Sequence, residues 1–334
     1  MKFAFIIDPI ARLDPGHDSS VALMEAAQVL GHEVWITQFT QLGVTAGQAM
    51  ATLQPVTLTP VTLGGGDQSA PEGQRWEAVP NWYQLGESVY QPLDTMDAVF
   101  MRTDPPVTVP YLYTTYVLDY VDPNKTLVIN SPAGLRAANE KMYALQFTEA
   151  IPETIVSRDK QVIRDTVHRW GKAVLKPLGG KAGEGILFLA DGDPNLNSMV
   201  EISTHQGLEP VMIQTYLPEA KDGDKRVILL NGEPIGAVNR IPTGSEFRGN
   251  MAVGGRVAKV AVTERDREIS QQLAPRLRQD GLIFVGIDII GGYLTEVNVT
   301  SPTGIREIDR LDGVQLGYQV IKWAVDAIKA LGKG

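Results

Sequence analysis

Short apolar runs separated by polar turns organise the first part of the chain. "KFAFIID" (2–8) reads as a strand, and "SSVALMEAAQVLGH" (19–32) as a helix that Ser19 or Ser20 can cap and Gly31 can end. "EVWITQF" (33–39) is a second strand, and strand–helix–strand at the start of a chain predicts an open parallel α/β layer. The pattern breaks over 43–92, where "PVTL" occurs at 55–58 and again at 60–63 before "GGGDQSAPEG"; this reads as an extended, turn-rich excursion, hairpin-like and mobile. "DAVFMR" (97–102) and "TLVIN" (126–130) return to strands. "SPAGLRAANEKMYALQF" (131–147) predicts a helix with Ser131 at the N-cap and Pro132 at its first position, and the first domain ends near residue 130.

The texture then changes to long hairpins. "AVLKPL" (173–178) runs through "GGKAGEG" into "ILFLA" (186–190), and "VMIQTYL" (211–217) is a further strand. "KRVILLNGEPIGAVNRI" (225–241) is a hairpin around Asn231-Gly232, a pair that accepts the positive φ of a type I′ turn. "RDREISQQLAPRLRQDG" (265–281) and "VQLGYQVIKWAVDAIKAL" (314–331) are helices with one polar face. Hairpins with helices fit an α+β arrangement better than a second doubly wound sheet.

One hairpin carries an anomaly. In "IFVGIDIIGGYLTEVNVTSPT" (283–303), Ile283, Val285, Ile287 and Ile289 alternate as on a buried strand, yet Asp288, Glu296 and Asn298 lie inside the strands. Glu296 and Asn298 are two apart and share a face. A two-residue loop at Gly291-Gly292 would pair residue 288 with 295 and put Asp288 on the opposite face; a three-residue loop or a glycine bulge would bring it onto theirs, and that register is expected. Two carboxylates and an amide oxygen are hard ligands suited to Mg²⁺ held jointly by protein and phosphate. The plainer reading is a solvent-facing hairpin with ordinary polar alternation, which the apolar density around these residues disfavours.

Composition narrows the function. At 334 residues the chain suits two or three domains by a prior of about 150 residues each. With 43% hydrophobic and 21% charged residues it is of ordinary globular make-up, and a net charge of −9 argues against nucleic-acid or acidic-membrane partners. The absence of cysteine excludes disulfides, thiolate metal sites and a cysteine nucleophile. The apolar run before Asp8 is too short for a signal peptide or a membrane span, so a cytoplasmic protein is expected. The histidines at 17, 32, 168 and 205 have no metal-ligand spacing, and the serines show no triad partners.

Two glycine-rich segments and one polar turn complete the candidates. In "LKPLGGKAGEG" (175–185), Gly179, Gly180, Gly183 and Gly185 let backbone N–H groups approach an anion, with Lys176 just ahead; alone, the segment is equally a hairpin loop, and it is neither a Walker A loop nor a dinucleotide fingerprint. "NRIPTGSEFRGNMAVGGR" (239–256) carries Arg240, Arg248 and Arg256, as a solvated loop or as a lid whose arginines meet phosphate. "TSPTGIREI" (300–308) leads into a helical turn whose N–H groups can face a carboxylate or phosphate.

Taken in order, these elements resemble the bacterial glutathione synthetases of the ATP-grasp superfamily over nearly the whole chain. The carrying segments are "DPI" with "DSS" (18–20), "MRTDPP", "NEKMYALQF", "LKPLGGKAGEG", "YLPEAKDGDKRV", "RIPTGSEFRGNMAVGGR" and "GLIFVGIDIIGGYLTEVNVTSPTGIREI". The resemblance implies an α/β domain over 1–130, then an ATP-grasp fold of two lobes, 131–218 and 219–334, clamping ATP between antiparallel sheets, with a lid at 241–256 that is mobile without ligand. It implies that Lys141 and Lys176 contact ATP phosphates. The flap of Gly179, Gly180, Lys181, Ala182, Gly183, Glu184 and Gly185 would cover them, Lys181 and Glu184 being a departure from the more neutral flap of relatives. Gln214, Thr215, Tyr216 and Leu217 would line the adenine, with Asp224 and Arg226 facing the nucleotide and reacting groups. Asp288, Glu296 and Asn298 would hold Mg²⁺, for which Mn²⁺ can substitute. Arg240, Arg248, Asn250 and Arg256 would belong to the lid. Asp18, Ser20 and Arg102 with Thr300, Ser301, Pro302, Thr303 and Gly304 would form the γ-glutamylcysteine site. The implied reaction joins γ-glutamylcysteine to glycine through an acyl phosphate, releasing ADP and phosphate, in a homo-oligomer that the family builds as a tetramer. The alternatives are an ATP-grasp ligase for another acid and amine, which "MRTDPP" and "TSPTGIREI" disfavour, and a non-catalytic nucleotide-binding relative, which has no need of a complete metal set.

Overall fold

The computed structural model describes residues 1–65, 73–180, 183–243 and 256–332. Strands Lys2–Ile6, Glu33–Thr37, Ala98–Met101 and Leu127–Ile129 pair in parallel, as the opening periodicity predicts. Phe3, Phe5 and Phe100 are fully buried between this sheet and the helices, the last two rings stacking at 4.8 Å. The helix after the first strand is Ser19–Val29, but its N-cap is Asp18 rather than a serine: one carboxylate oxygen accepts from both Ser20 N and Val21 N. An ionised acceptor facing the positive helix end serves better than a hydroxyl.

The 43–92 excursion extends this sheet. Gln48–Leu58 pairs antiparallel with Glu33–Thr37 and is flanked by Leu42–Thr45, Tyr83–Leu85 and Val89–Pro92. The first "PVTL" ends that long strand and the second leads into Thr62–Gly64, which pairs with Arg75–Glu77. Most of "GGGDQSAPEG", to which mobility was ascribed, lies outside the described residues.

The helix predicted over 131–147 is shorter. Ser131 caps it as expected, accepting from Gly134 N, but it ends at Ala137. Asn139 Oδ1 accepts from Lys141 N and Met142 N, an Asx turn that replaces helical bonding, and a separate 3₁₀ turn covers Met142–Gln146. Glu140, freed from the helix, accepts from Val299 N, Thr300 N and Thr300 Oγ1 at 2.8–3.0 Å. Just upstream, Asn130 uses all four of its bonding positions on the next sheet: it donates to Phe284 O and Val299 O and accepts from Ile283 N and Phe284 N, all at 2.8 Å.

Two antiparallel sheets follow. Thr154–Ser157, Val211–Thr215, Lys172–Pro177 and Leu187–Ala190 form one, in that order, with helices Lys160–Trp170 and Leu196–Ser203 packed on it; neither helix was among the sequence expectations. Arg256–Lys259, Glu233–Ile241, Asp224–Leu230, Phe284–Ile290 and Tyr293–Asn298 form the other, beside helix Glu264–Gln279. Asn231 and Gly232 take φ of 51° and 82°, as the two central residues of a type I′ turn require.

The metal-hairpin register is reached differently from expectation. The loop has two residues, Gly291 and Gly292, both at positive φ, so Ile290 faces Tyr293 and Ile289 faces Leu294. The pairing then skips Thr295, and Asp288 lies opposite Glu296. The bulge is therefore at Thr295, not at the glycines; the residue is buried and its hydroxyl donates to Asp288 O at 3.2 Å.

Helices Ile305–Asp312 and Leu316–Ala330 return to pack on Ser19–Val29. Asp309 joins the two, accepting from Leu316 N at 2.7 Å, and burial pushes its carboxyl up to about 7. A carboxyl that binds its proton more tightly when folded contributes stability that is lost as pH rises through the folded pKa. Asp309→Asn keeps the acceptor and removes that loss, so in urea unfolding the variant should gain roughly 2 kcal/mol on the parent between about pH 5 and about pH 8.

Candidate functional site

The two antiparallel sheets enclose a cleft of about 330 Å³, and one end of it reaches His17, Asp104 and Pro105 of the N-terminal part. Val174, Ile186, Leu217 and Ile290 give it an apolar region beside Gln214, Thr215 and Tyr216. Phe188 meets Tyr216 edge-on at 5.0 Å between ring centres and fixes that ring. An apolar slot with backbone groups along one wall suits a planar base.

The rest of the cleft is charged. Asp288 is 2% exposed and is gripped by three side chains. Arg226 Nε donates to its Oδ1 and Arg226 Nη2 to its Oδ2 at 3.0 Å, Arg240 Nη2 lies 2.9 Å from Oδ2, and Asn298 Nδ2 donates to Oδ2 at 3.2 Å. Burial would raise this carboxyl, but the two guanidiniums hold it well below the usual carboxylate range. Asp224 shares that Arg240 Nη2, accepting from it at Oδ2 at 2.6 Å, while its own Oδ1 is buried without a hydrogen-bond partner among the described residues. Burial outweighs Arg240 here and, with the nearby charge of Asp288, pushes Asp224 up to about 6. Burial alone would lower Arg240; Asp224 and Asp288 reverse this and raise it.

Of the two lysines, Lys141 ties the flap to the hairpin and Lys176 bonds within its own sheet. Lys141 Nζ donates to Gly180 O at 2.9 Å and lies 3.1 Å from Glu296 Oε1. Lys176 Nζ donates to Gln214 Oε1 at 2.6 Å, and desolvation lowers its pKa. Glu140 is raised by burial and next by the charge of Glu296. In the flap, a Cβ on Gly180 would come within 2.9 Å of Glu184 O, so only glycine permits the tight return of this loop.

Of the residues expected from sequence, the cleft wall includes Lys141, Lys176, Gly180, Gly183, Glu184, Gln214, Thr215, Tyr216, Leu217, Asp224, Arg226, Arg240, Asp288, Glu296, Asn298 and the 300–303 turn. Gly179 and Gly185 flank the flap without lining the cleft, and Arg256 opens the edge strand Arg256–Lys259. Lys181, Ala182, Arg248 and Asn250 lie outside the described residues, as does the lid over 244–255. Asp18, Ser20, Arg102 and Gly304 are not on the wall. Asp18 is occupied as a helix cap, and Arg102 is buried behind the turn, donating to Ser20 Oγ at 3.1 Å and to Pro302 O at 2.9 Å. These residues shape the 300–304 turn rather than the surface. Of the N–H groups of the helical turn expected there to face an anion, that of Ile305 donates to Ser19 Oγ at 3.2 Å. Sequence reading passed over Glu140 and His17. Glu140 was hidden by the predicted helix and His17 by the lack of a metal partner; proximity to "DSS" and to Lys141 was the only available signal.

Among the described residues no group of three or more histidine or acidic side chains is placed to hold a metal. Asp288, Glu296 and Asn298 nevertheless share one face, and Asn298 turns its amide nitrogen to Asp288, leaving the amide oxygen for another partner. Two carboxylates and one amide oxygen form a partial hard set, which fits Mg²⁺ when phosphate oxygens complete the shell.

The chain matches the model of the prokaryotic glutathione synthetase N-terminal domain over residues 1–136 and that of the prokaryotic glutathione synthetase ATP-grasp domain over 140–313. It is 68% identical over 323 residues to the glutathione synthetase of Nostoc sp., covering 97% of each chain. It is 67% identical to that of Thermosynechococcus vestitus, covering 97% of this chain and 99% of the other. Among solved structures it resembles the ATP-grasp ligase PsnB, with TM-score 0.59, 16% identity and coverage of 98% of each chain, which speaks for the ATP-grasp fold.

The buried charge pairs predict a non-additive stability response. Arg226→Met alone leaves Asp288 partly uncompensated and should cost about 3–5 kcal/mol in urea unfolding; combined with Asp288→Leu, the loss should fall well short of the sum of the single changes.

Proposed function

The chain belongs to the prokaryotic glutathione synthetases, and we propose that the cleft between its antiparallel sheets joins γ-glutamylcysteine to glycine with ATP as the energy source. The protein is an ATP-dependent ligase. The observation that carries the site assignment is the meeting of Lys141, Lys176, Arg226 and Arg240 with Asp224, Asp288, Glu296 and Asn298 on one cleft wall, next to an apolar slot. We assign the slot to the adenine and the lysines to the phosphates, with residues 131–218 and 219–334 as the two lobes that close on the nucleotide.

Both reacting groups then belong to substrates. The cysteinyl carboxylate attacks the γ-phosphorus, ADP departs, and an acyl phosphate forms. The glycine amine attacks its carbonyl, loses a proton, and phosphate leaves. The protein aligns the reactants and disperses charge, which is the main requirement of phosphoryl transfer. Arg226 and Arg240 sit where negative charge gathers, and their grip on Asp288 keeps them oriented before substrate arrives. The Gly180–Glu184 segment and the 241–256 lid exclude water, against which an acyl phosphate has no protection in an open site. Asp288, Glu296 and Asn298 would hold Mg²⁺, which when bound neutralises phosphate charge.

The resemblance also supports a cytoplasmic homotetramer; no helix among the described residues is long and apolar enough to cross a membrane. ADP release should require γ-glutamylcysteine and glycine together, with each omitted in turn as the control. Turnover without γ-glutamylcysteine, or none with the full set, would sink this reading. Glu296→Gln should lose Mg²⁺-dependent turnover by about 100-fold or more while retaining its far-ultraviolet spectrum, in line with loss of one charged group in a phosphoryl-transfer site.

A further inference from the structure

Among the described residues that line the cleft, those able to carry positive charge are His17, Lys141, Lys176, Arg226 and Arg240. The last four are engaged at the phosphate end, with Glu296, Gln214, Asp288 and Asp224 as partners. His17 stands apart. It follows the turn in which His17 N and Asp18 N both donate to Asp14 O, at 3.0 and 2.8 Å. Its Nδ1 lies 2.5 Å from Glu307 Oε1, in the first turn of helix Ile305–Asp312. Glu307 is buried, while the imidazole is 41% exposed. With Nδ1 committed to Glu307, Nε2 is the nitrogen left for a ligand.

Position indicates which ligand group this is. Arg226 reaches from Asp288 to Thr303 O at 3.1 Å, whereas His17 is tied to Glu307 on the helix that follows the 300–304 turn. The acceptor dipeptide reacts at its cysteinyl carboxylate and carries a second, α-carboxylate at its γ-glutamyl end, many bonds away. Glycine's carboxylate must stay within two bonds of the attacking amine. Arg102 is not on the cleft wall: its Nε and Nη2 donate to Ser20 Oγ and Pro302 O, and its Nη1, without a hydrogen-bond partner among the described residues, is buried behind them.

Building on the ligase reading above, we propose that His17, oriented by Glu307, receives the α-carboxylate at the γ-glutamyl end of the acceptor and so determines specificity for it. The charged groups around the imidazole are Glu307 from the facing helix and Asp14 and Asp18 from its own turn, and Asp104 is also on the cleft wall. The adjacent Arg306 turns away, to Glu25 at 2.8 Å and to Pro15 O at 3.0 Å. The hydrogen bond to Glu307, opposed by burial and reinforced by Asp14 and Asp18, raises the His17 pKa and prolongs its cationic form towards higher pH. With its proton on Nδ1 held by the carboxylate, the ring donates from Nε2 only in its cationic form and presents an acceptor there once neutral.

Steady-state kinetics on the full chain tests this. His17→Gln should raise KM for γ-glutamylcysteine about 10- to 100-fold, the range for a hydrogen bond to a charged group, with KM for ATP and for glycine unchanged. His17→Lys should restore most of it. In the parent, KM for γ-glutamylcysteine should rise with pH as the imidazole loses its proton, above the range of an ordinary imidazole; in His17→Lys it should stay flat, and in Glu307→Gln the rise should begin at lower pH. With 4-aminobutanoylcysteine, which lacks the α-carboxylate, parent and His17→Gln should be equally poor. An unchanged KM in His17→Gln, a rise in KM for glycine or ATP instead, or a penalty that persists with 4-aminobutanoylcysteine would overturn the proposal. A parent enzyme that makes no glutathione would overturn the ligase reading itself, a different result from normal parent turnover with an unaffected His17→Gln.

Discussion

A carboxylate buried within a five-stranded sheet is tolerable only with cations beside it, and the site is organised around that constraint. Asp288 is buried on a strand whose neighbours are Ile287 and Ile289. Its charge survives because Arg226, from the adjoining strand Asp224–Leu230, and Arg240, from the strand beyond it, close on it, and Arg240 is in turn held by Asp224. Removing any one member leaves another uncompensated in a poorly solvated place. The network thereby holds two guanidiniums in fixed positions before a phosphate arrives, which is the preorganisation that phosphoryl transfer draws on.

The same need for partners connects the parts of the chain. Glu140 breaks a predicted helix because the exit of the Tyr293–Asn298 strand offers it two amides and a hydroxyl. That break turns Lys141 inward, where it joins Gly180 of the flap to Glu296 of the hairpin. Asn130 locks the end of the parallel sheet onto Phe284 and Val299. Flap, hairpin and N-terminal sheet are thus linked by a handful of polar side chains close to the nucleotide site, so a ligand that competes for Lys141 acts on the flap as well.

Several features could be read directly from residues. Asn231-Gly232 specified its turn through local φ preferences, and the parallel opening followed from apolar periodicity. The flap glycines and the polar residues of the hairpin were conspicuous because each contradicts its apolar surroundings. What escaped reading depended on contacts distant in sequence. The Asp18 cap competed with two adjacent serines, the helix break at Asn139 with a continuous helical pattern, and the Thr295 bulge with a glycine pair that looked the better site for it. The 43–92 strands were obscured by prolines and glycines within and between them, Pro55 inside Gln48–Leu58 among them.

The sequence by itself determined the family, the two-part succession of parallel and antiparallel layers, and the chemistry of the side chains that would have to meet, because those rest on local propensity and on residues out of keeping with their neighbours. Only the tertiary structure decided which of them do meet. Asp288 joins the face of Glu296 because one residue is skipped at Thr295, and His17 meets Glu307 across 290 positions of chain. Both outcomes turn on register and packing between distant segments, where a shift of one residue changes a side chain's face and no local pattern records the choice.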